Sequence, residues 1–250
     1  MKNNSRRIAI MVGAGYVPGI NAVITGAAIA AGKMGWELVG IRDGFEGLLH
    51  PEKYPNGGLV TLDPEFIENL DPSAAGVLGQ SARVDRFHVR QSNELEMVEE
   101  VDMSDELLKR LKTENIDGLI SVVGGQGLTI LHKLHRKGLN VVCIPRSIDN
   151  DIASTSVSFG FNSALTLTIE MLDRARQSAR SARKIAVVEV QGEQAGWIAH
   201  LKRDHSGWLL PTLVRQIAQG ILHQGMPQRR SGAAGQAAAV LVVQAHPHAS

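Results

Sequence analysis

The sequence predicts an α/β fold: a three-layer arrangement in which helices cover both faces of a mostly parallel sheet. Three observations predict it. Short apolar runs recur along the chain, among them Ile8–Val12, Gly118–Val123 and Asn140–Ile144, a length that suits strands buried on both faces. Longer segments with helically spaced apolar residues lie between such runs. Glycine-rich turns follow Val12 and Val123, at the carboxyl ends of strands, where open α/β sheets bind ligands.

Taken in order, Ile8–Val12 is the first strand, and Pro18 suits a helix start. Ile20 to Met34 is rich in Ala and Ile, so the helix it forms can pack closely on a sheet. Trp36–Ile41 is the second strand and Asp43-Gly44 a turn. The Gly, Pro and Asn density from Glu46 to Pro64 predicts loop or a short hairpin. Ser104 is expected to cap a helix with Asp105 and Glu106 in its first turn and Leu107, Leu108 and Leu111 on its apolar face. Strand Gly118–Val123, helix Leu128–Arg136 and strand Asn140–Ile144 form a right-handed βαβ unit. Phe159–Arg176 reads as helix, Lys184–Val190 as strand, Leu209–His223 as helix and Ala237–Val243 as a last strand, after a flexible connection at Gln228–Gln236.

The 250 residues are 44% hydrophobic, enough for one large or two modest domains. The 26 Lys and Arg against 25 Asp and Glu leave no field of one sign to favour nucleic acid or a membrane surface. The single cysteine, Cys143, has no disulfide partner and sits in an apolar run, so it reads as a core filler in a reducing, cytoplasmic setting. Residues 1 to 31 superficially resemble a signal peptide, but Gly13, Gly15, Pro18 and Asn21 interrupt the apolar run. No segment reaches the 18 or more uninterrupted apolar residues of a membrane helix.

Gly13 to Asn21 joins a strand to a helix, where backbone N–H groups and the helix dipole make an anion site. A dinucleotide fingerprint is the rival, with Asp43 as the ribose ligand, but the glycine spacing is wrong and Pro18 removes a donor. Gly124, Gly125, Gln126 and Gly127 form a second such loop, and two of them together could cradle a polyphosphate. Beyond the next apolar run come Arg146, Ser147, Asp149 and Asp151. A carboxylate there can accept the proton of an attacking sugar hydroxyl, with Ser147 holding the transferring phosphoryl and Arg146 neutralising its charge. An Asx-turn or a metal site are the alternatives. Arg83, on a polar loop, is a further phosphate candidate, whereas the arginines from 174 to 183 read as a solvated helix end or a subunit contact, and His246 and His248 as a terminal tail.

At Pro145-Arg146-Ser147-Ile148-Asp149-Asn150-Asp151 the chain resembles the 6-phosphofructokinases, whose signature reads Pro-(Gly or Lys)-Thr-Ile-Asp-Asn-Asp. Gly15 to Asn21, Gly40 to Leu48, Leu78 to Arg83, Gly160 to Ala164 and Val187 to Gly192 continue the resemblance in order, over roughly residues 7 to 200. It implies phosphoryl transfer to the 1-hydroxyl of fructose 6-phosphate, with Asp149 as base, Ser147 at the phosphoryl group and Asp151 in support. Gly15, Tyr16, Arg83 and Gly124 to Gly127 would meet the donor phosphates, and Gln191, Gly192 and Glu193 would stand at the sugar phosphate. It further implies ATP or diphosphate as donor, Mg²⁺ as cofactor, and a homo-oligomer whose active sites borrow residues across subunits. Residues 1–158 would form the donor domain and residues 159–250 a partial sugar-phosphate domain.

The chain departs from the family pattern at three places. Gln126 replaces an aspartate that helps hold Mg²⁺, so as a metal ligand it offers only a neutral oxygen, and Tyr16 replaces the aspartate of the first loop. Arg146 stands where ATP-dependent members have glycine and diphosphate-dependent members lysine, although Gly127 is ATP-like. Glu193 replaces an arginine that reaches the sugar phosphate, and the resemblance fades after Trp197, as in a C-terminally truncated chain. A non-catalytic paralogue that binds nucleotide or sugar phosphate is therefore the second reading, and a nicotinamide dehydrogenase the third.

Overall fold

The computed structural model describes residues 5–15, 17–72, 74, 76–81, 85–92, 98–184, 186–192, 195–198 and 238–243. The chain divides into two compact units, Met1–Arg146 and Ser147–Ser250.

The first unit begins with β1 (Arg7–Val12), α1 (Ile20–Lys33), β2 (Glu37–Ile41) and α2 (Glu46–Leu49), followed by a 3₁₀ turn at Pro51–Lys53. Next come β3 (Leu59–Thr61), α3 (Pro64–Glu68), β4 (Val89–Ser92), β5 (Val98–Val101) and α4 (Ser104–Thr113). It closes with β6 (Gly118–Val123), α5 (Gly125–Arg136) and β7 (Val141–Ser147). The sheet order is β3-β2-β1-β6-β7, parallel throughout except for β3. Val12 lies opposite Val122, and Val123 opposite Pro145. That register brings the carboxyl ends of β1, β6 and β7 side by side, so Gly13, Gly124 and Arg146 all emerge at one edge of the sheet.

Ala9, Met11, Val39, Ile41, Leu119 and Val123 are buried in the same core as Leu107 and Leu111 of α4 and Leu131 and Leu134 of α5. Each of these side chains larger than alanine gives about 1.5–3 kcal/mol relative to full exposure. Cys143 packs at the margin of this core, and burial pushes its thiol pKa up, as expected of a filler.

Several sequence expectations are corrected here. Glu46–Pro64, expected as loop or a short hairpin, carries α2, the 3₁₀ turn and β3, which pairs antiparallel with β2. The turn closes because Gly47 and Gly58 meet backbone to backbone, and a Cβ on either would overlap the other's main chain. Asp43 is committed structurally: its N–H donates to the Leu78 carbonyl at 2.8 Å and its carboxylate accepts from the Tyr54 hydroxyl at 3.0 Å. Burial and that bond push the Tyr54 pKa up to about 12. Ser104 does not cap α4. The N-cap residue is Met103, and Asp102 before it accepts from the Ser104 N–H at 2.8 Å, while the buried Ser104 hydroxyl accepts from Lys137 Nζ at 2.6 Å. The β4–β5 hairpin was not foreseen, because its strands, VRQS and VEEV, contain no apolar run.

Arg86, 2% exposed, reaches Glu46 Oε1 with Nη2 at 2.6 Å, and its carbonyl accepts the Met103 N–H at 2.7 Å. Residues 85–88 are thereby fastened both to α2 and to the start of α4.

The second unit contains β8 (Phe159–Gly160), α6 (Phe161–Ser181), β9 (Ala186–Gln191) and β10 (Ala238–Val243). The helix starts two residues later than predicted, because Gly160 caps it at φ 103°, and it runs five residues past Arg176. Strand β10 is antiparallel to β9, with Ala238 opposite Gln191. Phe161, Leu172, Val190 and Ile198 form a separate core. The predicted helix Leu209–His223, the connection Gln228–Gln236, and His246 and His248 lie outside the described residues. Among the described residues, no helix is long and apolar enough to cross a membrane.

Candidate active site

Helix α5 begins at Gly125, three residues earlier than its apolar periodicity suggests, so the second glycine loop is the first turn of the helix rather than a free loop. Gly124 is the N-cap residue and supplies no side-chain cap. The first bond inside the helix is Leu128 N–H to the Gly124 carbonyl at 3.0 Å, so the N–H groups of Gly125, Gln126 and Gly127 have no acceptor within the helix. They face a cavity of about 360 Å³ lined also by Gly13, Ala14, Asp85 and Arg146.

Arg146 is not on a loop beyond the strand, as the proline had suggested, but on β7 itself, and it is only 9% exposed. Its guanidinium lies over Gly15, where a Cβ would come within 3.1 Å of Nη2. Gly15 also has φ +89°, which strains any other residue. Arg146 Nη1 is buried and has no hydrogen-bond partner among the described residues. Burial pulls its pKa down, yet a guanidinium stays charged in a protein. A buried, unpaired cation beside an uncapped helix start calls for an anion.

Gly127 brings this turn close to β6: a Cβ there would lie 2.7 Å from Val123 Cβ. Gly127→Ala therefore pushes α5 off the strand. We expect a loss of about 1–3 kcal/mol in denaturant unfolding.

In the second unit the chain turns tightly after Ser147. The Ser147 hydroxyl accepts the Asp149 N–H at 3.1 Å and donates to Asp151 Oδ1. Asn150 adopts φ 52°, and its amide ties the turn to Ser156 and Ser158. The Ser158 hydroxyl donates to the Ser147 carbonyl at 2.9 Å. Asp149 is 8% exposed, and Gln191 Nε2 donates to its Oδ2 at 3.3 Å. The turn thus contains the Asx- and Ser-type bonds of the bland sequence alternative, and it uses them to hold a buried carboxylate in place. No cluster of three or more metal-binding side chains occurs among the described residues.

Of the candidates from sequence, Gly15, Gly124 to Gly127 and Arg146 come together in the first unit, and Ser147, Asp149, Asp151 and Gln191 in the second. Gly192 follows Gln191 directly. Tyr16, Arg83 and Glu193 lie outside the described residues. Asp85 was missed: it lines the cavity at the start of α5, and no motif surrounds it in the sequence.

A parallel α/β unit with its ligand cavity at the carboxyl ends of adjacent strands defines the class. Residues 7–203 match the family model of phosphofructokinase, and the chain belongs to that family. It is 37% identical over 196 residues to ATP-dependent 6-phosphofructokinase 2 of Clostridium perfringens, which covers 78% of this chain and 52% of that protein. Over 195 residues it is 35% identical to the pyrophosphate–fructose 6-phosphate 1-phosphotransferase of Amycolatopsis methanolica, covering 77% and 52% respectively. The T-state crystal structure of Pichia pastoris phosphofructokinase superposes with a TM-score of 0.63 at 26% identity, over 78% of this chain and 21% of that one. The chain spans about half the length of the curated relatives it matches.

Proposed function

We propose that this chain carries out phosphoryl transfer to the 1-hydroxyl of fructose 6-phosphate, as a phosphotransferase whose donor phosphates bind at the start of α5. The single observation that carries the reading is Arg146, a buried guanidinium with an unpartnered nitrogen at an uncapped, glycine-lined helix start. The chain continues from it directly into Ser147, Asp149 and Asp151. In this reading the donor's terminal phosphates bond the N–H groups of Gly125 to Gly127, and Arg146 neutralises charge that develops during transfer. Asp149 takes the proton of the attacking hydroxyl onto its carboxylate. Ser147 and Asp151 hold the turn that aims it, and Gln191 fixes the carboxylate's orientation. The oxygen donors lining the donor cavity, the Asp85 carboxylate and the Gln126 amide, are of the kind magnesium takes together with phosphate oxygens and water. When bound, that ion supplies charge neutralisation across the donor.

ATP is the first candidate for the donor, in line with the Clostridium relative. Diphosphate is the second, and the buried guanidinium of Arg146 against Gly15 favours it, since it adds fixed positive charge where a compact, highly charged donor would sit. Turnover of fructose 6-phosphate, assayed with Mg²⁺ and each donor in turn, tests the reading. Product with either donor supports it and identifies the donor. A folded chain that binds diphosphate but gives no turnover points to the binding-only paralogue, and one that binds neither donor refutes the donor site.

A further inference from the structure

A carboxylate at the wall of an anion cavity is an anomaly. Two like charges about 4 Å apart repel by roughly 4 kcal/mol at the effective dielectric of a protein surface, so Asp85 should oppose the phosphates that Arg146 and the α5 N–H groups attract. Its presence is no accident of a loose loop. Asp85 Oδ1 accepts the Phe87 N–H at 2.9 Å, and Oδ2 lies 3.2 Å from His88 Nδ1. Its neighbour Arg86 is locked to Glu46 at 2.6 Å. The side chain nonetheless remains 40% exposed and open to the cavity. A carboxylate offers about four lone-pair positions, and these two contacts with a further bond from the His88 backbone N–H leave one of them for an outside cation. Gln126, at the start of α5, supplies only a neutral amide oxygen.

We propose that Asp85 is the carboxylate ligand of the divalent cation that accompanies the donor phosphates, in place of the charge that the helix start lacks at Gln126. The proposal rests on the phosphotransferase reading above. A magnesium ion of this kind needs only one or two carboxylates, with phosphate oxygens and water completing its shell. A cation between Asp85 and the phosphates turns the repulsion into a bridge, while the orphaned Arg146 nitrogen independently marks the cavity as one for an anion.

The test is calorimetric titration of the full chain with diphosphate, first in EDTA and then in Mn²⁺, with Mn²⁺ immobilisation followed by electron paramagnetic resonance. In the wild type, Mn²⁺ is expected to raise diphosphate affinity on the order of tenfold. Asp85→Asn keeps an oxygen for the Phe87 N–H and removes only the charge. It is expected to bind diphosphate more tightly than wild type in EDTA, yet to lose the Mn²⁺ enhancement and the immobilised Mn²⁺ signal. A purely structural role for Asp85 would weaken binding in both conditions. Adding Gln126→Asp to the Asp85→Asn chain should restore the enhancement. The proposal is overturned if Asp85→Asn retains the full Mn²⁺ effect, or if the effect disappears in Gln126→Leu while Asp85 is intact. Failure of wild type to bind diphosphate in either condition would instead remove the donor site itself, and the inference with it.

Discussion

If the proposed phosphotransfer holds, asparagine in place of Asp149 is expected to lower turnover of fructose 6-phosphate by a factor on the order of 10²–10⁴, with KM changed little. The substitution keeps the shape of the side chain and an oxygen for Gln191 Nε2, which lies 3.3 Å from the native carboxylate. The Ser147–Asp151 bond and the Asn150 tether to Ser158 are untouched, so the turn survives. What disappears is the capacity to accept a proton. A loss confined to kcat, in a chain with an unchanged melting curve, is therefore the expected pattern. Near-native turnover in the asparagine chain would show that the proton leaves by another route.

The second large effect is on stability. Arg86→Ala leaves Glu46, whose side chain is 12% exposed, without its 2.6 Å partner. Breaking a buried pair by removing one member costs about 3–5 kcal/mol, a large share of a typical domain's stability. Lys53, 4.0 Å from the other Glu46 oxygen, is a weak substitute. Urea unfolding measures the difference, and Arg86→Met combined with Glu46→Leu should recover much of it, because an apolar pair leaves no charge stranded. The pair also gives stability a pH dependence. Burial pushes the Glu46 pKa up, but the Arg86 bond and charge, with His50 and Lys53, outweigh it and hold the carboxyl below its ordinary value. A depressed carboxylate pKa contributes stability above the unfolded-state value and loses it as the pH falls through the folded value. The wild type should therefore lose stability on acidification more steeply than the double variant.

The parts of this chain that sequence revealed are those where one interaction dominates locally. Strands β1 and β6 sit within a residue of their predicted bounds because burial on both faces demands unbroken apolar runs. Proline at 145 reads as the end of a strand, yet β7 continues to Ser147; Arg146 is consequently a wall of the cavity at the start of α5 rather than part of a loop. Glycines at 125 and 127 read as part of a loop ahead of the helix, but they lie in its first turn, where a helix tolerates them and where Gly127 is needed against Val123. Asp85 was illegible for a different reason. Its place at the cavity depends on Arg86 reaching α2, forty residues away in sequence, and on the Met103 contact, and no local pattern encodes a tether of that span. The Asp149 turn announced itself through residue order, whereas the contact with Gln191 requires β9 to lie beside it.

The meeting of Gly47 and Gly58 limits how this chain can diverge. Each position depends on the other's main chain rather than on a side chain that could shrink to make room. No second-site change at the partner relieves a substitution, since the partner is already the smallest residue. In a library randomised at every codon, both positions should therefore retain glycine alone, while Gly26 and Gly32, with nothing within 4 Å of an added Cβ, should accept many residues. The crossing between α2 and the entry to β3 is a point where mutational paths end, and variation must spread around it.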